Sequence, residues 1–308
     1  MSSDAYTGVK VLYETSSKLI DALYREGSLA IEEFDGRLKL KDQQNLYLVL
    51  TDKIVDEDGK ELSQTTASAI ARVWGDRVIK VPVTKDSLIG GIRPRNKEQA
   101  MALDALTDDR IKAVTLTGPA GTGKTLLTLA AAMQARESGK YERIILTRPM
   151  TQVGKHDLGI LPGEVNDKFG PYLQNYMCNM EFLMKGGKDK SRNGSGVLAW
   201  IEHYKMEFIP LQLIRGASWP DTFIIADEVQ TLPRHEMLTL GTRVGENSKI
   251  VIMGDLAQRD ERIAKHDTGL YNFSNSEIAK KSQLVAHIEL LKCERSDISR
   301  LFAEVFDD

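Results

Sequence analysis

AVTLTGPAGTGKTLL, Ala113 to Leu127, opens as an apolar run, turns through three glycines and ends in helix-forming residues. Within it, Gly118-Pro119-Ala120-Gly121-Thr122-Gly123-Lys124-Thr125 fits G-x-x-x-x-G-K-[ST]. The segment stands between a predicted strand, 113–117, and a predicted helix over about 124–138, the context a phosphate-binding loop requires. Glycines let the backbone turn tightly and aim N–H groups at a pyrophosphate, and the helix N-terminus adds its dipole. Lys124 is placed to reach the β- and γ-phosphates of ATP, and the Thr125 hydroxyl to bind Mg²⁺. The expected nucleotide-binding segment runs from Gly118 to Leu126.

Outward from the loop, a helix is predicted over about 96–107. Further strands are predicted over 143–147, 211–214, 223–226, 249–253 and 287–291, with helical stretches between most of them. Nearly all-apolar strands alternating with helices mean an α/β fold, a parallel sheet covered on both faces. This region is expected to span 86–308. Residues 1–85 read as a separate small α+β region, with a helix around Ser17–Tyr24 and strands at Leu46–Leu50 and Val78–Pro82. The Gly-rich stretch Ser87 to Pro94 reads as the linker.

Phe223-Ile-Ile-Ala-Asp227-Glu228 is a hydrophobic strand ending in two acids. Downstream of a phosphate-binding loop, Asp227 is expected to hold Mg²⁺, mostly through its water shell. Glu228 is expected to polarise the attacking water. The paired Glu favours hydrolysis over transfer to a hydroxyl substrate, which disfavours a kinase. Gly254-Asp-Leu-Ala-Gln258-Arg-Asp260 follows another apolar run. If that strand lies beside the loop strand, Gln258 faces the γ-phosphate. Its uncharged hydrogen bond then reports hydrolysis. Asp255 reads as a turn or positioning residue, and Asp260 stays unassigned.

The stretches GPAGTGKT, ILTRPM, DLGILPG, FIIADEVQTLPRHEM, TRVGENSKIVIMGDLAQRD and HIELLKCERSDI, in this order, resemble the PhoH-like ATPases over about residues 90–306. Those are similar to the first RecA-like domain of superfamily-1 helicases, so the resemblance implies a RecA-like P-loop NTPase. It implies that Arg95-Asn-Lys-Glu-Gln99 is a Q-motif, in which Gln99 reads adenine N6 and N7. It implies that Arg148 faces nucleic acid and that Arg243 and Arg295 are candidate γ-phosphate contacts. The chain departs from the family in DEVQ for the usual DEAQ and CERS for the common GERS. GVKVLYETSSKLIDALYREG and LYLVLTD resemble, more weakly, the connector that joins a PIN nuclease to the ATPase. The carboxylates such a nuclease needs are absent upstream, so nuclease activity is not expected.

The composition, 42% hydrophobic and 28% charged, is that of a globular protein. No apolar run approaches the 18 or so residues that span a bilayer, and the start shows no secretory signal. Cys178 and Cys293 match no metal spacing and read as reduced thiols of a cytoplasmic protein. A net charge of −3 argues against a constitutive duplex-DNA binder, but a motor can confine its basic residues to one channel. The basic, Gly/Ser-rich stretch 185–196 reads as a solvated loop or as a phosphate contact. Two functions follow: an ATP-driven motor or remodeller acting on RNA or single strands, or an ATP-dependent switch on a protein partner. A single RecA-like domain, with the resemblance, implies a homo-oligomeric ring, a hexamer.

Overall fold

The computed structural model describes residues 6–34, 43–56, 58, 60–149, 165–186, 196–259, 264–294 and 305. A smaller sheet holds β1 (Val9–Leu12), β2 (Ser28–Ala30), β3 (Tyr47–Thr51), β4 (Ser68–Trp74) and β5 (Arg77–Lys80) in the order β1-β3-β4-β5-β2. Helix α1 (Ser17–Glu26) buries Ile20 and Leu23 in that sheet's core. The larger sheet holds β6 (Ala113–Thr117), β7 (Arg143–Thr147), β8 (Met206–Phe208), β9 (Thr222–Ala226), β10 (Lys249–Gly254) and β11 (Val285–Glu289). Its order is β11-β6-β10-β9-β7-β8, with every pair parallel.

The apolar strands alternate between two cores, as the period-2 geometry of a strand demands. Val114, Leu116, Phe223, Ile225, Val251 and Met253 face one core, which also holds residues of α2 (Lys97–Thr107), α3 (Lys124–Glu137), α4 (Val165–Gly186) and α5 (Val197–His203). Ile224, Ala226, Ile250 and Ile252 face the other, with α6 (Arg234–Gly241) and α7 (Gly269–Asn275). Helix α8 (Glu277–Lys281) leads into β11. This is the α/β RecA-like layering expected of the sequence. None of the described helices is long and apolar enough to cross a membrane.

One sequence expectation about the fold needs correction. The strand expected at 211–214 is a 3-10 turn, Leu211–Leu213, and the edge strand is Met206–Phe208 instead. Pro210 lacks a ladder donor, and its carbonyl accepts from Leu213 N at 2.9 Å, which closes the turn. Within the stretch Ser87 to Pro94, Ile89 is buried in the core and Ile92 packs against it.

The small sheet is bonded to the large one. Asn45 Nδ2 donates to the Gln283 and Val285 carbonyls at 2.9 Å each. Glu289 N donates to Thr7 O at 3.0 Å. Gly8, at φ 71°, lies so close to β11 that a Cβ there would fall 1.7 Å from His287 O. Tyr6 stacks on His287, and His287 Nδ1 lies 2.6 Å from Thr115 Oγ1. Burial lowers the imidazole to about 4. The unfolded chain therefore takes up a proton near pH 6.5 that the folded chain refuses until about pH 4. Stability is then lost as pH falls through that window, by up to about 3 kcal/mol. In thermal melts from pH 7.5 to 4.5, His287→Asn is expected to start less stable and to show a flatter acid decline. An unchanged slope would remove His287 from the account.

Candidate nucleotide site

The loop between β6 and α3 has Gly118, Gly121 and Gly123 at φ 129°, 84° and 97°. Gly118 is required twice over, because a Cβ there would stand 2.0 Å from the carbonyl oxygen of Leu290. Thr122 Oγ1 donates to Pro119 O at 3.0 Å and braces the turn. Pro119 and Ala120 are exposed at its tip, while Leu126 packs inward against the core. Lys124 Nζ donates to the carbonyls of Gly118 at 2.5 Å and Pro119 at 2.9 Å, so its charge sits over the loop.

Two acids follow the end of β9, and the first of them reaches the residue that closes the loop motif. Thr125 Oγ1 donates to Asp227 Oδ2 at 3.4 Å. Asp227 is 3% exposed, and its carboxyl is pushed up to about 6, first by burial and then by the Glu228 charge. Arg148 opposes that shift, and the fully buried Tyr176 of α4 also faces the carboxylate. Glu228 sits in the left-handed region at φ 56°, with its N–H donating to Asp227 Oδ1 at 3.0 Å. This strained turn projects its carboxylate from the strand end.

The strand β10 lies between β6 and β9, with Gly254 paired to Thr117 and Ile252 to Ala226. The Gly254–Gln258 segment therefore emerges between the glycine loop and the acids. Gln230, which the sequence reading left without a role, joins the two. Its Nε2 donates to Glu228 Oε2 at 2.7 Å, and its Oε1 accepts from Asp255 N at 3.3 Å. Asp255 in turn caps the short turn Leu256–Gln258, with Oδ1 accepting from Ala257 N at 3.0 Å. Gln258 is exposed at the end of that turn. The signal for Gln230 was present in the sequence as a Gln two residues past the second acid.

Gln99 is buried, and its amide is bonded to backbone at both ends. It accepts from Arg95 N at 2.9 Å and donates to Thr122 O at 3.1 Å, so it ties α2 to the glycine loop. Glu294 N donates to Gly121 O at 3.0 Å, which brings the segment before Arg295 onto the loop. Arg295, Asp260 and residues 187–195 lie outside the described residues. Arg243 corrects an expectation. It follows α6 at the end of the sheet where β10 begins, opposite the glycine loop. Its guanidinium donates to Thr239 O, Ala217 O and Thr242 Oγ1. The fold does not bring it to the γ-phosphate position of its own chain, because α6 has carried the backbone back along the strands.

A family model described as PhoH-like protein matches residues 91–307. The chain belongs to the PhoH-like protein family. Protein PhoH2 of Bacillus subtilis is 39% identical over 306 residues, 99% of this chain and 65% of that protein. Protein PhoH2 of Thermobispora bispora is 38% identical over 252 residues, 81% of this chain and 55% of that protein. This PhoH-like chain thus spans less than two thirds of the length of these relatives. Among solved structures, the Pif1 helicase from Candida albicans is similar with a TM-score of 0.36 and 17% identity, covering 70% of this chain and 44% of that one. The residues present fit a nucleotide with its metal. A glycine loop at a helix N-terminus suits phosphates, and the Thr125 hydroxyl beside the Asp227 carboxylate offers hard oxygen donors to Mg²⁺.

Proposed function

We propose that this chain hydrolyses ATP with Mg²⁺ and couples the cycle to single-stranded nucleic acid, RNA or DNA, as a remodelling or helicase-like motor. The reading extends to a cytoplasmic homo-oligomeric ring of six subunits. The observation that carries the coupling is Gln230. It is bonded at once to Glu228, the candidate base, and to Asp255, which anchors the turn bearing Gln258. Bound Mg²⁺ would neutralise charge on the β- and γ-phosphates. Lys124 and the loop N–H groups hold those phosphates, while Glu228 orients and deprotonates the attacking water. In this reading Gln258 bonds the γ-phosphate, and its loss of that partner is passed through Asp255 and Gln230.

The test is the ATP hydrolysis rate with and without single-stranded RNA at low salt. Several-fold stimulation is expected, and Lys124→Ala should lower turnover about 100-fold with or without RNA. A flat response to RNA, single-stranded DNA and duplex alike would sink the nucleic-acid coupling. Stimulation by a protein alone would turn the reading toward a protein-directed switch.

A further inference from the structure

Beside the first turn of α2, a cavity of about 320 Å³ opens between the small sheet and the large one. None of Gly118–Thr125 lines it, so it is distinct from the glycine loop. Its apolar wall comes from both sides of the junction: Ile70 and Val81 from the small sheet and the strand after it, Pro94 and Ala100 from the approach to α2. Four cations, Lys80, Lys85, Arg95 and Lys97, line it, and no carboxylate does among the described residues. None of the four is in an ion pair with a described residue. Tyr24 stands at the rim, 54% exposed, with its hydroxyl fixed on Ser68 O at 3.0 Å and Lys80 Nζ 5.0 Å from its ring centroid. The N-terminus of α2, capped by Asn96, adds its dipole to the same side.

An apolar wall, a fixed aromatic ring and several cations outside ion pairs select a ligand with an aromatic body and more than one negative charge. We infer that this cavity binds a nucleotide unit of a single-stranded nucleic acid, its base against Tyr24 and the apolar wall and its phosphates on Lys85, Arg95 and Lys97. Stacking on an aromatic ring with cations along the backbone is the usual mode of sequence-tolerant single-strand binding. The inference rests on the nucleic-acid reading above and adds where the strand lies. Arg95 N donates to Gln99, whose amide donates to Thr122 O, so a strand seated here would touch a residue one hydrogen-bonded step from the glycine loop.

The test uses the full chain, a fluorescein-labelled oligouridine of about 12 nucleotides, and the variants Lys85→Glu and Tyr24→Leu, with anisotropy read over a series of salt concentrations. Lys85→Glu is expected to weaken binding about tenfold and to flatten the slope of log affinity against log salt by about 0.7. Tyr24→Leu is expected to weaken it about tenfold with the slope unchanged. Hydrolysis of ATP without RNA should stay at the wild-type rate in both. If wild type and both variants bind the oligonucleotide equally, the cavity is not the strand site, while the nucleic-acid reading survives. If wild type binds no oligonucleotide, that reading fails, and adenosine monophosphate decides the cavity. Binding of the monophosphate that both variants weaken assigns the cavity to a free nucleotide, and equal or absent binding overturns it. Variant-sensitive binding of polyglutamate alone would overturn the nucleotide assignment.

Discussion

Glu228→Gln is expected to lower ATP turnover about 10³-fold while leaving ATP affinity within about threefold of wild type. The geometry separates the two functions. Phosphate binding rests on the glycine loop and Lys124, whose Thr122 hydroxyl and Lys124 ammonium are bonded to the Pro119 and Gly118 carbonyls of the loop itself. Glu228 is held by its own backbone turn at φ 56° and by Gln230 at 2.7 Å. A Gln at 228 keeps the volume and can turn its amide oxygen toward Gln230 Nε2, so the turn survives. It loses only the ability to take a proton from water. Single-turnover hydrolysis and binding of a fluorescent ATP analogue measure the two quantities separately. Hydrolysis at the wild-type rate would remove Glu228 as the base. Loss of both binding and hydrolysis would make it a structural residue of the site.

The parts of this molecule that the sequence announces are those whose backbone demands leave no alternative. Gly118 must have no Cβ beside Leu290, and Gly123 must take φ 97° for α3 to start at Lys124. The placement of β10 beside β6 follows from the same logic, since buried parallel strands read as continuous apolar runs. Polar residues are harder, because one side chain has many possible partners and only the tertiary fold chooses among them. Gln99 turned out to spend its amide on Arg95 N and Thr122 O, and Arg243 its guanidinium on carbonyls near the start of β10. The small sheet was half legible: β3 and β5 were readable, but β4 carries Arg72 at its centre, which breaks the apolar pattern. Lys249 was legible as the start of a strand, but its partners were not. It opens β10 almost fully buried, and its Nζ donates to the carbonyls of Ala105, Leu106 and Asp108 at 2.8 to 2.9 Å, closing the end of α2.

Arg72→Ala is expected to destabilise the protein by about 4 kcal/mol, a fall in Tm on the order of 10 °C. Arg72 is 2% exposed and lies between the small sheet and α2. Its Nε is 3.5 Å from Asp104 Oδ2, and its terminal nitrogen is bonded to Asp108. The guanidinium lies 5.9 Å from the centroid of the Tyr47 ring and 5.5 Å from that of Trp74. Tyr47 Oη donates to Asp104 at 2.8 Å, so the carboxylate is shared by both partners. Burial raises the Asp104 carboxyl even with Arg72 in place. Removing the guanidinium leaves that acid without its compensating charge, and such a group costs more than the ion pair itself is worth. The arrangement predicts a specific non-additivity: Arg72→Met with Asp104→Leu should be far more stable than the sum of the two single changes, since no orphaned charge remains. Arg72→Lys should fall between, because an ammonium keeps the charge but loses the fork that reaches two carboxylates. Thermal melts of wild type, Arg72→Met, Asp104→Leu, the double variant and Arg72→Lys check this, and strict additivity in the cycle would show that the cluster is not a coupled unit. The consequence reaches the site, because α2 is the element clamped at one end by Arg72 and joined at the other, through Gln99, to Thr122 of the glycine loop. Variants that loosen the clamp should therefore raise the KM for ATP before they lower kcat, whereas a purely local defect in the small sheet would leave both unchanged in the folded fraction.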